Sequence, residues 1–222
     1  MHRFIRSTVL ALGAGAALAH AAAAQTLTAV TVGAPQINCL FSTSCTVVVN
    51  DLATPYLGNG FLQSRVFQAQ PGSPAAGKWV YEYRVDLTQV ATTAAPVQVT
   101  SLAIPFAPSA LTMDFNGDGA AAEQVFVVTS GGLGSIGPAT VQAYGDTIHV
   151  AFSPPVPGGQ TTYFFGFLSN NPPHDTQARI VANVAPETHL AARGPSFGGA
   201  APTPGGSLRP NVPRPRPAPV KP

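Results

Sequence analysis

The chain has 222 residues, of which 45% are hydrophobic and 9% charged, with 22 Gly, 23 Pro and a formal net charge of +2. Average chains carry about 25% charged residues. So little charge and so much chain punctuation exclude a helical bundle or coiled coil, and they fit many short strands joined by turns.

In chain order, Arg3 and Arg6 form a basic leader, Ser7 to Ala19 is an apolar run, and Ala22-Ala23-Ala24 offers small residues before Gln25. This is the layout of an export signal over residues 1–24, with cleavage near Ala24. The apolar run is too short for a membrane span of about 20 residues. No later segment is long and apolar enough either, so no transmembrane segment is expected in the mature chain. The mature protein is expected in the periplasm, on the cell surface or outside the cell. Cys39 and Cys45 are the two cysteines. In an oxidising compartment such an isolated pair predicts a structural disulfide.

Between Gln25 and Leu190, apolar stretches alternate with turn clusters. Strands are predicted at Thr26–Val32, Cys45–Asn50, Phe61–Gln68, Lys78–Thr88, Val97–Ile104, Gln124–Thr129, Thr140–Ala143, Thr147–Phe152, Thr161–Leu168 and Ala178–Val184. Turn signals such as Gly58-Asn-Gly60, Asn116-Gly-Asp-Gly119 and Asn170-Asn-Pro-Pro173 separate them. Thr140–Phe152 reads as a hairpin about Tyr144-Gly-Asp146, with Ile148, Val150 and Phe152 inward. No helix is expected in the mature chain. About ten strands at this spacing predict an all-β fold, a two-sheet antiparallel sandwich over residues 25–190; a single barrel is the second reading.

Lys78–Thr88 has the clearest period of two. Trp79, Tyr81, Tyr83, Val85 and Leu87 lie on one face. Lys78, Glu82, Arg84, Asp86 and Thr88 lie on the other, which reads as solvated, with Val80 as its apolar exception. Tyr163, Phe165 and Phe167 repeat the aromatic spacing. Such rows build a core when buried and stack on sugars when exposed; with a sandwich to fill, they read as core.

Residues 191–222 hold nine Pro and five Gly and no apolar period, so a disordered, basic, Pro-rich tail is expected there. Arg193, Arg209, Arg214, Arg216 and Lys221 lie in it without an acid. All nine acids lie in the body, against Arg65, Lys78, Arg84 and Arg179. An acidic domain with a basic tail argues against nucleic acid as a partner. The tail reads either as a solubilising linker or as a tether to an anionic envelope polymer or polysaccharide, for which an aromatic face is the other candidate contact.

Asp114-Phe-Asn-Gly-Asp-Gly119 places oxygen side chains at loop positions 1, 3 and 5 and Gly at 6, which is how a calcium loop opens. Asp114, Asn116 and Asp118 are the candidate ligands. Ala122 and Val125 occupy positions 9 and 12, so Glu123 is the candidate for closing the site. The alternative is a plain tight turn feeding the next strand. The loop resembles the Asp-x-Asn-x-Asp-Gly loops of dockerin and integrin-type repeats, which implies calcium as the ion. The stretch Trp79–Thr88, followed by a turn and Val97–Phe106, resembles a strand pair of bacterial exported β-sandwich domains of unassigned function. That likeness implies a surface or matrix role.

Other motifs carry less. Gly132-Leu-Gly-Ser-Ile-Gly137 has a dinucleotide-type spacing, but Pro138 and no helical period follow it. Ser135, His174 and Asp175 could be assembled into a hydrolytic triad, although no nucleophile elbow is present. Glu82 and Asp86 lie on one strand face about 13 Å apart, too far for a glycosidase pair on one sheet. The expected function is an exported, non-enzymatic structural or binding module, of adhesion or matrix type and stabilised by calcium. A secreted hydrolase acting on an extracellular polymer is the alternative.

Overall fold

The computed structural model describes residues 23–91, 96–107 and 109–197. Most of the expected leader and residues 198–222 of the expected tail lie outside this range. In chain order the elements are β1 (Gln25–Thr26), β2 (Ala29–Gly33), α1 (Ala34–Phe41), β3 (Asn50–Tyr56), β4 (Gly60–Gln68), β5 (Trp79–Asp86) and β6 (Gln98–Pro105). They continue with β7 (Val125–Ser130), β8 (Thr140–Tyr144), β9 (Thr147–Pro157), β10 (Phe164–Ser169), β11 (Pro173–Ala182) and β12 (Ala185–Pro195).

The strands form two six-stranded sheets. Sheet A runs β1-β8-β9-β6-β11-β12 and sheet B runs β2-β7-β10-β5-β4-β3. Alternation of side chains puts Tyr81, Tyr83 and Val85 of β5, Phe165 and Phe167 of β10, and Ile148 and Val150 of β9 between the sheets, each at most 1% exposed. The aromatic rows are therefore core. Tyr83 packs on Phe165 and Phe167, each with ring centroids 6.2 Å away. The hairpin is present too: Tyr144 pairs with Thr147, and Ile148, Val150 and Phe152 point inward. No helix among the described residues is long and apolar enough to cross a membrane.

Four details correct the sequence reading. The first expected strand is two strands in different sheets: Gln25 pairs with Ala143, and Ala29 pairs with Val125. The chain crosses between sheets at Leu27, a core residue. The pairing of β2 with β7 is parallel, whereas the other pairs of named strands among the described residues are antiparallel. Second, a helix is present. Residues 34–41 hold Pro near the N-terminus, where its missing N–H costs nothing. Only Ile37 and Phe41, one turn apart, carry the helical period, too short a signal to stand out. Third, Cys45–Val49 is not a strand; β3 begins at Asn50 and continues to Tyr56.

Fourth, the folded region does not stop at Leu190. β12 runs to Pro195, with Ala192 fully buried. Tyr83 Oη donates to the Arg193 carbonyl at 2.6 Å, and the Arg193 N–H donates to Ser64 Oγ at 2.8 Å. Thr54 Oγ1 donates to the Ala191 carbonyl at 2.7 Å. The end of β12 thus fastens sheet A to sheet B. Gly and Pro residues suit it because it is an edge strand, where missing donors and side chains cost least.

A second apolar layer lies on the outer face of sheet B. Ile37 and Phe41 of α1 meet Phe67, Val80, Phe126 and Leu168. Phe41 contacts Phe67 and Phe126 with centroids 5.6 Å apart in both cases. Cys39 and Cys45 are disulfide-bonded, closing the chain immediately after α1.

Candidate functional site

The acidic loop lies between β6 and β7 and is closed by backbone pairing of Met113 with Glu123. Phe115 is fully buried and packs on Phe126 at 5.2 Å, which pins the loop to the outer layer of sheet B. Asp114 Oδ1 accepts the N–H groups of Gly117 and Asp118, and Oδ2 accepts that of Gly119. Gly117 and Gly119 have φ of 76° and 92°, the left-handed conformation this turn requires. Glu123 is buried, and its Oε2 accepts the Phe115 N–H at 2.5 Å.

One carboxylate oxygen each of Asp114, Asp118 and Glu123 lie within 4.8 Å of one another. The structure thus brings Glu123, at position 10 of the loop, to the two aspartates. Asn116 is turned onto the loop itself: Nδ2 donates to Asp118 Oδ2 at 2.9 Å, and Oδ1 accepts the Asp118 N–H. The Asn116 amide and the Ala120 N–H hold the Asp118 carboxyl below its ordinary pKa. Gln36 of α1 donates to the Asn116 carbonyl, linking helix and loop.

The expected solvated face of β5 is buried. Glu82, Arg84 and Asp86 are 7%, 7% and 6% exposed, and this overturns the reading of Lys78–Thr88 as half-buried. Val80, the apolar exception, was the available signal, because it packs beneath α1 in the outer layer. Arg84 and Asp86 form an ion pair at 3.0 Å, and Arg84 Nε donates to Gln63 at 2.9 Å. Gln63 in turn donates to Asp51 at 2.5 Å. The Arg65 guanidinium lies 4.0 Å from the Phe164 ring centroid. Its Nε is 3.5 Å from Asp51 Oδ2, close enough for an ion pair but not aligned as a hydrogen bond.

Glu82 is directly opposite Arg65 in the β4–β5 ladder. Burial pushes its carboxyl up to about 7, with the Arg65 charge opposing the rise and Asp51 adding to it. In front of it is a half-open cleft of about 400 Å³, walled by α1, by Val47 and Val49, and by the Gly131–Leu133 loop. Nothing in the alternation of β5 announces this cleft, since its walls come from segments distant in sequence.

The remaining candidates do not assemble. Ser135 Oγ faces Gln160 and the Thr161 carbonyl, His174 Nδ1 lies 3.1 Å from the Gly194 carbonyl, and Asp175 pairs with Arg193. The Gly132–Gly137 run serves packing. A Cβ at Gly134 would stand 2.2 Å from the Thr162 carbonyl oxygen, at a φ of 112°. Comparison with known protein families, with curated proteins and with solved structures returned no match for this chain.

Proposed function

We propose that the chain is an exported, non-enzymatic structural or binding module of the cell envelope or extracellular space, stabilised by calcium at the Asp114–Glu123 loop. The observation that carries this reading is the convergence of Asp114, Asp118 and Glu123 oxygens within 4.8 Å. Oxygen donors of this kind suit a hard divalent cation. A bound ion tightens the outer layer of sheet B, because Phe115 and Gln36 tie the loop to that layer and to α1. The basic leader and small-residue cleavage site support export. The bases beyond residue 197, Arg209, Arg214, Arg216 and Lys221, supply the contact with an anionic envelope polymer. Arg193 does not join them, being paired with Asp175.

The test is thermal unfolding of the chain from Gln25 to Pro222 in calcium, in magnesium and in chelator. At 100 times the dissociation constant, calcium should raise the melting temperature by about 5 to 10 °C. Asp118→Ala should remove the shift. Equal melting in calcium and chelator would reduce the loop to a turn and leave the module without a metal.

A further inference from the structure

The charges on the outer face of sheet B do not cancel. Arg65 is matched by Asp51 and Arg84 by Asp86, which leaves Glu82 as the third carboxylate of the group. Glu82 is 93% buried, being 7% exposed. No described residue donates a hydrogen bond to it or pairs with it within 4 Å. Its neighbour on the other side of the ladder is Gly166. That position cannot supply a donor, because a Cβ there would stand 2.3 Å from Phe126 Cζ. Holding a carboxylate this far from water with no protein donor is costly, and its oxygens, which are not sealed inside the fold, open onto the cleft.

The cleft has the size of a small-molecule site, which typically spans about 300–1,000 Å³. Ile37, Val47, Leu133 and Phe164 give it apolar walls. Leu133 is 55% exposed, so the wall is open to solvent on that side. We propose that this cleft binds a small organic cation, with an ammonium group seated on Glu82 and an apolar body against Ile37, Val47, Leu133 and Phe164.

A cation is favoured over an anion because Arg65, which also lines the cleft, is ion-paired with Asp51 and Arg84 with Asp86, whereas Glu82 has no such partner. Arg65 and Arg84 pair with acids, and both lie over the Phe164 ring. A neutral donor would satisfy the hydrogen bond and leave the charge uncompensated. An ammonium supplies donors and charge together. The site is separate from the acidic loop and does not require calcium there.

The pH dependence follows from the groups around Glu82. Arg65 faces it from β4, Asp51 stands behind Arg65 on β3, and Arg84 follows on its own strand. The cleft walls from α1, β7, β10 and the Gly131–Leu133 loop bring no titratable side chain. With the carboxyl raised to about 7, Glu82 becomes protonated as pH falls through neutrality and can no longer hold an ammonium.

The experiment is isothermal titration of the chain from Gln25 to Pro222 with hexylamine, hexanol and hexanoate. Hexylamine, protonated throughout the range, should bind with one-to-one stoichiometry and outbind the other two. Its affinity should fall about tenfold from pH 8 to pH 6, in proportion to the ionised fraction of Glu82. Glu82→Gln should weaken it at least about tenfold at pH 8. Leu133→Ala should reduce the advantage of hexylamine over ethylamine while leaving the pH dependence in place. Equal binding of hexanol or hexanoate, a pH-independent affinity, or no saturable binding of hexylamine would overturn the proposal. The pH series uses the unaltered protein, so the result stands even if a variant fails to fold.

Discussion

The two faces of β5 are built from one strand and are buried in different ways. Inward, Tyr81, Tyr83 and Val85 meet apolar partners from both sheets, with no exposed surface. Outward, Val80 lies under α1 while Glu82, Arg84 and Asp86 are enclosed among charges, glutamine and an aromatic ring. The comparison shows that alternating polarity marks which face meets apolar partners, not which face meets water. The inner face draws its stability from area removed from water. The outer face needs each charge answered, and it answers all but one.

The largest contrast should come from the inner face. Phe165→Ala removes a ring packed against Tyr83, Phe152 and Phe167. It should cost about 3–5 kcal/mol of unfolding free energy in denaturant titrations. A loss under about 1 kcal/mol would mean that the space between the sheets collapses freely and is not tightly packed.

On the outer face the sign should reverse. The folded carboxyl of Glu82 sits at about 7, raised from 4.5, so the folded state retains a proton that the unfolded chain has released. Stability is therefore full below about pH 4.5 and falls as pH climbs through 7. Glu82→Gln, unable to titrate, should be more stable than the unaltered protein at pH 8 by about 3 kcal/mol, and level with it near pH 4. Parallel stability curves for the two proteins across that range would show that Glu82 is already satisfied in the folded state.

The smallest effect concerns the layer that covers the outer face. Replacing Cys39 and Cys45 together by Ala opens a short loop, and it should lower stability by about 2 kcal/mol. It should also speed amide exchange in α1 more than in β5. Equal acceleration in both would show that helix and sheet open as one unit.

Much of the sandwich was legible because its evidence is local. The alternation of Lys78–Thr88, the Tyr144-Gly-Asp146 hairpin and the Asn-Gly-Asp-Gly turn each announce themselves within a few residues. What was not legible depends on partners far along the chain. Residues 34–41 make a helix because Phe67 and Phe126 receive Phe41, and no window around Phe41 contains either. Asn50–Tyr56 carries Pro55 and two polar residues at its start, and it is held as a strand by Phe61–Val66 across a short turn. Residues 191–195 look like tail in composition and become strand by pairing with Pro173–Gln177, with Ser64 and Tyr83 tying them to the other sheet. The acidic loop was read from its spacing. Glu123 is the nearest carboxylate in sequence, and the Met113–Glu123 pairing is what brings it to Asp114. The Glu82 cleft had no local trace; Val80 marks only that the outer face is covered.

The split of the first strand also bears on the order of assembly. Gln25 waits for Ala143 and Ala29 for Val125, so these first strand residues wait across the longest stretches of chain of any strand pair among the described residues. A chain emerging from its N-terminus cannot close either sheet at that end until more than half its length has followed. Pairings of such long reach make folding slow, because loop-closure entropy is spent before any contact repays it. The molecule therefore stays open at that end until Ala143 is in place.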